Sequence, residues 1–88
     1  MAQLTILLPQ SILKLNEFTI IAAHAQQLFE QIQTINESVF DCLFRRIDSD
    51  IVPKAFVSVF VNDDQIFDYH CLFNDGDRVV FGIAIAGG

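Results

Sequence analysis

Basic residues are scarce in this sequence. Five Lys and Arg stand against 11 Asp and Glu, which gives a formal net charge of -6 at pH 7. A surface of that sign repels the phosphates of nucleic acids and the headgroups of anionic lipids, so the composition argues against a nucleic-acid-binding or membrane-surface protein. It favours a protein partner that presents a basic docking face.

Cysteine is nearly absent as well. Cys42 and Cys71 form no CxxC pair and have no histidine at ligand spacing, so neither a zinc site nor a redox dithiol is predicted. We expect two reduced thiols that act mainly as small apolar side chains, with a single disulfide as the alternative. His24 and His70 have no nucleophile at a diagnostic spacing, and we predict that both are exposed to solvent.

Long apolar runs are also missing. No stretch approaches the roughly 20 apolar residues of a membrane-spanning helix. The first ten residues contain no basic segment, and their apolar run ends at Pro9, so no signal peptide is predicted and we expect a cytoplasmic protein. Core material is abundant, because 52% of the 88 residues are hydrophobic and nine are Phe, which predicts one folded domain over residues 1–88.

The first half of the chain predicts two strands and a helix. Residues 4–8 are apolar and end at Pro9, and a second strand follows at residues 18–22 after a turn near Asn16. From Ala23 the apolar spacing changes to three and four, which predicts an amphipathic helix. Its apolar stripe consists of Ala25, Leu28, Phe29, Ile32 and Ile35. Ser38 then offers an N-cap for a short second helix or a single turn.

The second half predicts strands. Residues 45–54 are polar and contain Pro53, and we predict a long surface loop there. Alternating apolar residues predict strands at 57–61, 65–67 and 78–86, with turns at 62–64 and 74–77. A helix between an N-terminal hairpin and a C-terminal group of strands can cover one face of a single mixed sheet. This order predicts a two-layer α+β domain in which the first and last strands are parallel neighbours.

The sequence ends on a pair of glycines, Gly87 and Gly88, directly after an apolar strand. Glycine has no side chain to crowd a narrow channel, so a diglycine end can carry its carboxylate into another protein's active site. Adenylation of that carboxylate would supply a leaving group for attack by sulfur or by an amine. On its own, a Gly-Gly pair more often marks a frayed chain end.

Three stretches together resemble the ubiquitin-like sulfur carrier proteins of the MoaD and ThiS family. They are FVSVFVNDDQI (56–66), CLFNDGDRVVF (71–81) and the final AIAGG, and the opening LTILLPQSIL looks like the first strand and entry loop of the carriers that serve cysteine biosynthesis. The resemblance implies a β-grasp (ubiquitin-like) fold. A mixed sheet of four to five strands would pack on one main helix, with residues 84–88 as an exposed, flexible C-terminal Gly-Gly tail.

The same resemblance implies a function without a catalytic side chain or a bound cofactor of the chain's own. An E1-like enzyme would use ATP and Mg to adenylate Gly88, and a sulfur donor would then replace AMP to give a thiocarboxylate. Ala86 and Gly87 would be recognised as part of the tail, whereas Asn62 and the turn at Asp75–Asp77 match structural turns of the family. A synthase would accept the sulfur in the biosynthesis of cysteine, thiamin, molybdopterin or a specialised metabolite.

A carrier of this kind needs a recognition surface on its body. The candidates for an apolar patch on the sheet are Phe60, with Phe56 as its alternative, and Phe67, Phe73 and Phe81. The apolar composition also favours weak self-association. Two alternatives keep the same fold. In one, the chain is a ubiquitin-like modifier whose Gly88 ends in an isopeptide bond to lysines of other proteins, and in the other it is a β-grasp interaction module with an inert tail.

Overall fold

The N-terminal half of the sheet is an antiparallel hairpin. The computed structural model describes residues 1–8 and 17–84. Strands β1 (Ala2–Leu7) and β2 (Glu17–Ala22) pair so that their ends, Ala2 and Ala22, lie opposite each other. The two predicted strands are therefore confirmed, with β1 beginning two residues earlier than expected, whereas the turn predicted near Asn16 lies outside the described residues.

The amphipathic helix is α1 (Ala25–Ile35), and four of the five predicted stripe residues are buried. The exception is Ile35, which lies in the last turn and is 58% exposed. His24 is the N-cap: its Nδ1 accepts a hydrogen bond from the Gln27 N–H at 3.2 Å, while the Gln27 side chain accepts one from the Ala23 N–H at 2.6 Å. These reciprocal bonds satisfy donors at the helix start, as in a capping box.

One residue separates α1 from the second helix, α2 (Glu37–Leu43). The Asn36 N–H donates to the Ile32 carbonyl at 2.9 Å, and its side-chain oxygen accepts from the Val39 N–H at 3.1 Å. Asn36 thus ends one helix and caps the next. The N-cap predicted at Ser38 is wrong by two residues, because Asn is an equally good capping residue and precedes it.

The long loop predicted at residues 45–54 is also wrong. Strands β3 (Phe44–Ile47) and β4 (Asp50–Pro53) form a separate two-stranded antiparallel sheet, in which Ile47 lies opposite Asp50. Asp48 makes the turn with a positive φ of 56°. Ile51 and Pro53 are buried, so period-two alternation is present, but it extends over too few residues to predict a strand.

Gln26 fastens this small sheet to α1. Its Nε2 donates to the carbonyls of Ile51 at 2.8 Å and Tyr69 at 2.9 Å, and its Oε1 accepts from the Ile51 N–H at 2.8 Å. One side chain therefore satisfies backbone groups from two segments that lie far from it in sequence.

We expect the substitution Gln26→Ala to lower the free energy of unfolding by about 2–4 kcal/mol, since three hydrogen bonds are lost and their backbone partners stay part-buried. Urea denaturation monitored by circular dichroism measures the change. Gln33→Ala is the matched control, because Gln33 makes one exposed hydrogen bond to Arg46, and it should stay within about 0.5 kcal/mol of the parent. Equal losses for the two variants would contradict the role of Gln26.

The remaining strands complete the main sheet. They are β5 (Val57–Val61), β6 (Asp64–Gln65) and β7 (Arg78–Ile83). The strand order is β2-β1-β7-β5-β6, with β7 parallel to β1 and antiparallel to β5. The predicted two-layer α+β arrangement and the parallel pairing of the first and last strands are both confirmed.

The core lies between this sheet and the two helices. Alternation along β1 and β7 directs Leu4, Ile6, Val79 and Phe81 toward the helices, and all four are at most 3% exposed. In the part of the chain that the structure describes, no helix covers the opposite side of the sheet, which is called the open face below. Among residues 1–8 and 17–84, no helix is long and apolar enough to cross a membrane.

Candidate functional site at the end of the central strand

The predicted tail residues Ala86, Gly87 and Gly88 lie outside the described residues, so the site is built from the strand that leads to them. β7 is held on both sides, by β1 through residues 78–80 and by β5 through residues 79–83. Beyond it the Ala84 N–H donates to the Phe56 carbonyl at 2.8 Å, and the Ala84 side chain is exposed. The sheet therefore fixes the point from which the last four residues continue.

An apolar row crosses the open face beside this point. The strand register aligns Leu7 of β1, Val80 of β7 and Phe60 of β5, and all three are half-buried. We call these three residues the open-face row. A Cβ placed on Gly82 would lie 3.8 Å from Phe60 Cε1, so the aromatic ring lies beside the end of β7, just before Ala84. An apolar surface thus adjoins the start of the tail.

Two of the four predicted surface phenylalanines are core residues, and that part of the prediction is wrong. Phe81 is 3% exposed because its position on β7 faces the helices, where its ring lies 5.7 Å from that of Phe44. Phe73 is 8% exposed because its N–H donates to the Ala23 carbonyl, which draws its segment against the helix start. Phe67, in contrast, is 75% exposed.

The sequence prediction named Phe56 as the alternative to Phe60 and missed two residues of this surface, Leu7 and Val80. Phe56 is 44% exposed, and its carbonyl holds Ala84. Phe56 lies four residues before Phe60, and an even spacing along an extended chain directs both side chains to the same side of the sheet. Leu7 and Val80 were missed because each sits inside a continuous apolar run, where alternation between faces is hidden.

The turns that were expected to be structural carry a dense set of hydrogen bonds. Asp77 is 8% exposed, and its carboxylate accepts from the Asn62 side chain at 2.8 Å and from the Asn74 N–H at 2.9 Å. Asn62 in turn accepts from the Arg78 N–H at 2.9 Å. A buried carboxylate is tolerated when donors satisfy it, so this set fixes the first residue of β7.

Backbone geometry explains why Asn and Gly occupy these turns. Asn62 and Asp63 have positive φ of 51° and 73° and form a two-residue loop, since Val61 pairs with Asp64. Both central residues of such a hairpin loop need positive φ, which Asn and Asp tolerate better than most. Gly76 has a φ of 89°, a backbone conformation that glycine adopts at low energetic cost and that residues with a side chain rarely adopt.

The cysteines and histidines do not assemble a reactive centre. Burial, followed by the nearby Asp68 carboxylate, raises the pKa of the Cys71 thiol, which keeps it protonated and weakly nucleophilic. Both cysteines are free, and Cys42 is exposed. His70 is exposed as predicted and pairs with Asp50 at 3.1 Å, whereas the prediction that His24 is exposed is wrong, since it caps α1 and is half-buried.

Side chains that could bind a metal ion are likewise not clustered in the described part of the chain. Within the described ranges, no group of three or more His, Cys, Asp or Glu side chains is placed to hold a metal ion. Every buried side-chain polar atom in that part of the chain has a hydrogen-bond partner. What the geometry offers is a rigid strand end beside an apolar surface.

Comparison with known proteins tests the fold. No protein-family model and no curated protein sequence matches the chain. Among solved structures, the solution structure of the small archaeal modifier protein 1 from Methanosarcina acetivorans matches 100% of this chain and 98% of that chain, with a TM-score of 0.83. The chain has a β-grasp fold. The expected fold is thereby confirmed, and at 12% sequence identity the likeness extends to the fold alone.

Proposed function

We propose that this β-grasp protein is a ubiquitin-like modifier that is activated at Gly88. The Gly88 carboxylate attacks the α-phosphate of ATP on an E1-like enzyme, with Mg, and releases pyrophosphate. A lysine amine of a target protein then displaces AMP and forms an isopeptide bond. The observation that carries the proposal is the strand end at Ala84, where a β7 strand fixed on both sides leads into the sequence Ile85-Ala86-Gly87-Gly88.

The match to the archaeal modifier supports this choice over the other uses of the fold, because that protein is named as a modifier and is matched over 98% of its length. In the proposed reaction our chain supplies a substrate and no catalytic side chain. The enzyme supplies the ATP, and we propose that activation takes place in the cytoplasm. Gly87 and Ala86 fit its channel as the narrow part of the tail.

The body of the protein supplies recognition in this proposal. The open-face row, next to the start of the tail, and the exposed Phe67 form the apolar part of the docking surface in this proposal. The charge of -6 favours a basic rim on the enzyme. Apolar anchors in the centre with charged residues around them is the usual arrangement of a protein interface.

Conjugates identify a modifier directly. The chain is produced with an N-terminal tag in its native host, and tagged proteins are isolated under denaturing conditions and digested with trypsin. Arg78 is the last basic residue, so a modified lysine should carry the ten-residue remnant Val79–Gly88. Such remnants on lysines of other proteins establish the function, and their absence from a host that makes the activating enzyme would reject it. The intact mass of the native chain also tests whether Gly88 is its last residue.

Sulfur carriage is the second candidate, and the specific observation behind it is the resemblance of residues 56–66, 71–81 and the final AIAGG to the MoaD and ThiS family. In that reaction a sulfur donor displaces AMP, and the carboxylate becomes a thiocarboxylate for a synthase. Intact-mass measurement distinguishes the two, because a carrier gains the mass difference between sulfur and oxygen on the unconjugated chain. A modifier accumulates in conjugates of higher mass.

Phe60→Ser tests the docking surface. An aromatic anchor of an interface typically contributes about 2 kcal/mol or more. We therefore expect the KM of the activating enzyme for this protein, measured by ATP–pyrophosphate exchange, to rise about tenfold or more, with kcat nearly unchanged. Ile47→Ser is the matched control, because Ile47 is 45% exposed on the two-stranded sheet, away from the open face. An unchanged KM for Phe60→Ser would remove the open-face row from the recognition surface.

A further inference from the structure

A second apolar surface lies at the end of the sheet opposite the tail. It is a cavity of about 330 Å³ between the start of β1 and the segment that precedes β7. Ala2 and Phe73 form its buried floor, while Leu72 and Met1 stand on its rim, 79% and 81% exposed. Those two are the most exposed large apolar side chains among residues 1–8 and 17–84. We call this the Leu72 cavity.

The strand register separates the Leu72 cavity from the tail. Thr5 of β1 lies beside Arg78 of β7, and the two strands are parallel. Ala2 is three residues from this level in one direction, and Ala84 is six residues from it in the other. At about 3.3 Å per residue, about 30 Å separates the two ends along the strands. A partner in the cavity would therefore leave the tail and the open-face row accessible.

Leu72 is fixed in position although its side chain is exposed. The residue before it, Cys71, accepts a backbone hydrogen bond from the Ala25 N–H at 3.0 Å. The residue after it, Phe73, donates its N–H to the Ala23 carbonyl, also at 3.0 Å. An apolar side chain that is already held in place loses little conformational freedom when a partner covers it, which favours binding.

Negative charge borders the Leu72 cavity. Asp75 is exposed, lines the cavity, and accepts from the Gln3 N–H at 2.7 Å through one oxygen, Oδ1. The Asp77 carboxylate is bound at 2.9 Å to the N–H of another lining residue, Asn74. Among the described residues, no Lys or Arg forms an ion pair with either carboxylate. A ligand for this cavity would be apolar inside it and positively charged at its edge.

We propose that the Leu72 cavity binds an apolar side chain of a partner protein that is flanked by Lys or Arg. The apolar side chain packs between Leu72 and Met1 over Phe73, and the cation pairs with Asp75. A second copy of this chain is a poor occupant, because it brings the same carboxylate and the same net charge of -6. An apolar anchor with complementary charges around it is the usual arrangement of a protein interface. This binding does not depend on activation at Gly88.

The test is an NMR titration of the full 15N-labelled chain with the synthetic peptide acetyl-Gly-Lys-Leu-Phe-Lys-Gly-amide. We expect amide shifts concentrated at residues 72–75, Ala2 and Ala23. One control peptide has Glu in place of both Lys, and another has Ser in place of Leu and Phe. Each should bind at least about fivefold more weakly. Equal affinity of the three peptides, or no shifts at these residues with millimolar peptide, would overturn the proposal.

A first pair of variants tests the apolar contact. Leu72→Ser should weaken binding about fivefold or more, because the side chain that the partner covers is lost. Ile47→Ser is the matched control, since it removes an exposed apolar side chain from the two-stranded sheet, and it should bind as the parent does. A Leu72→Ser chain that is folded, by its β1 amide shifts, and binds the peptide normally would exclude the cavity.

A second pair of variants tests the charge. Asp75→Asn keeps an Oδ1 acceptor for the Gln3 N–H and removes the charge, so it should weaken binding about two- to fivefold, the range for an exposed ion pair. Glu37→Gln is the matched control, because α1 begins beside the cavity and Glu37 follows its far end, about 17 Å away at 1.5 Å per residue. Equal effects of the two variants would show a response to net charge alone and would overturn the proposal.

Two further measurements distinguish this site from its alternatives. Concentration-dependent shifts at residues 72–75 without peptide would show that a second copy occupies the cavity, which would also overturn the proposal. The chain that lacks Gly87 and Gly88 should bind the peptide as the full chain does. A failure of activation at Gly88 therefore leaves the expected result unchanged, whereas weaker binding by the truncated chain would contradict the independence of the two sites.

Discussion

Removal of Gly87 and Gly88 is expected to abolish AMP transfer from ATP to the chain while leaving the melting temperature unchanged. Each residue of extended chain spans about 3.3–3.6 Å, so the truncated carboxylate ends about 7 Å short of its site on the activating enzyme. That distance is more than twice a reactive approach of about 3–3.5 Å. The rate of ATP–pyrophosphate exchange by the purified E1-like enzyme should fall to the rate measured when this protein is left out.

Replacement of Gly87 and Gly88 by Ala-Ala distinguishes the effect of tail length from the effect of side-chain size. This variant has the full length but carries two Cβ atoms, so it should bind the enzyme through the open-face row and react slowly. Slow reaction of the Ala-Ala variant and none of the truncated one would show that both length and absence of side chains matter. If the truncated chain were still adenylated, the activated-terminus proposal would fail, and an interaction module with an inert tail would become the better description.

Periodicity in the sequence was enough to predict the arrangement of the main elements. The spacing of Ala25, Leu28, Phe29 and Ile32 placed α1, and apolar alternation placed β5 and β7. From the order of elements, the parallel pairing of β1 and β7 followed. These signals succeed because burial of one helix stripe and of one sheet face depends on the period alone.

The role of Gln26 was missed because it depends on a contact between residues distant in sequence. Nothing near β4 in sequence indicates that Gln26, on α1, supplies both a donor and an acceptor to Ile51. Local propensity cannot reveal the role of Gln26, since tertiary hydrogen bonds decide it. The His24 cap is local, and it was missed because histidine is not among the preferred N-cap residues.

The candidate site was predictable in outline only. The terminal glycines, visible in the sequence, defined where the chemistry would occur, but the surface beside them was mixed with core residues. Phe60 and Phe81 both lie in apolar strands, and only the register of β5 against β7 shows that one faces the open side and the other the helices. A slip of one residue in β5 would turn Phe60 toward the helices and leave Phe81 in place.

Phe29→Ala should be among the most destabilising single substitutions in the chain. Phe29 is fully buried, and its ring lies 4.6 Å from that of Phe44, 6.3 Å from Phe81 and 6.1 Å from Tyr69. Truncation of a buried Phe to Ala costs about 3–5 kcal/mol, because transfer free energy is lost and a cavity remains. For a small domain whose total stability is about 5–15 kcal/mol, that is a large share.

The melting temperature should fall by about 15–30 °C, since each kcal/mol corresponds to about 4–8 °C in a domain of this size. Phe67→Ala is the matched control: Phe67 is 75% exposed, and its removal should change the free energy of unfolding by less than about 0.5 kcal/mol. Differential scanning calorimetry measures the melting temperatures of the two variants, and equal values would contradict the placement of Phe29 at the core's centre.

The aromatic cluster of Phe29, Phe44 and Phe81 joins α1, β3 and β7, so it supports the strand that leads to the tail without touching the open face. Below its lowered melting temperature, Phe29→Ala should therefore still accept AMP at Gly88, which separates the stability of the fold from recognition by the activating enzyme.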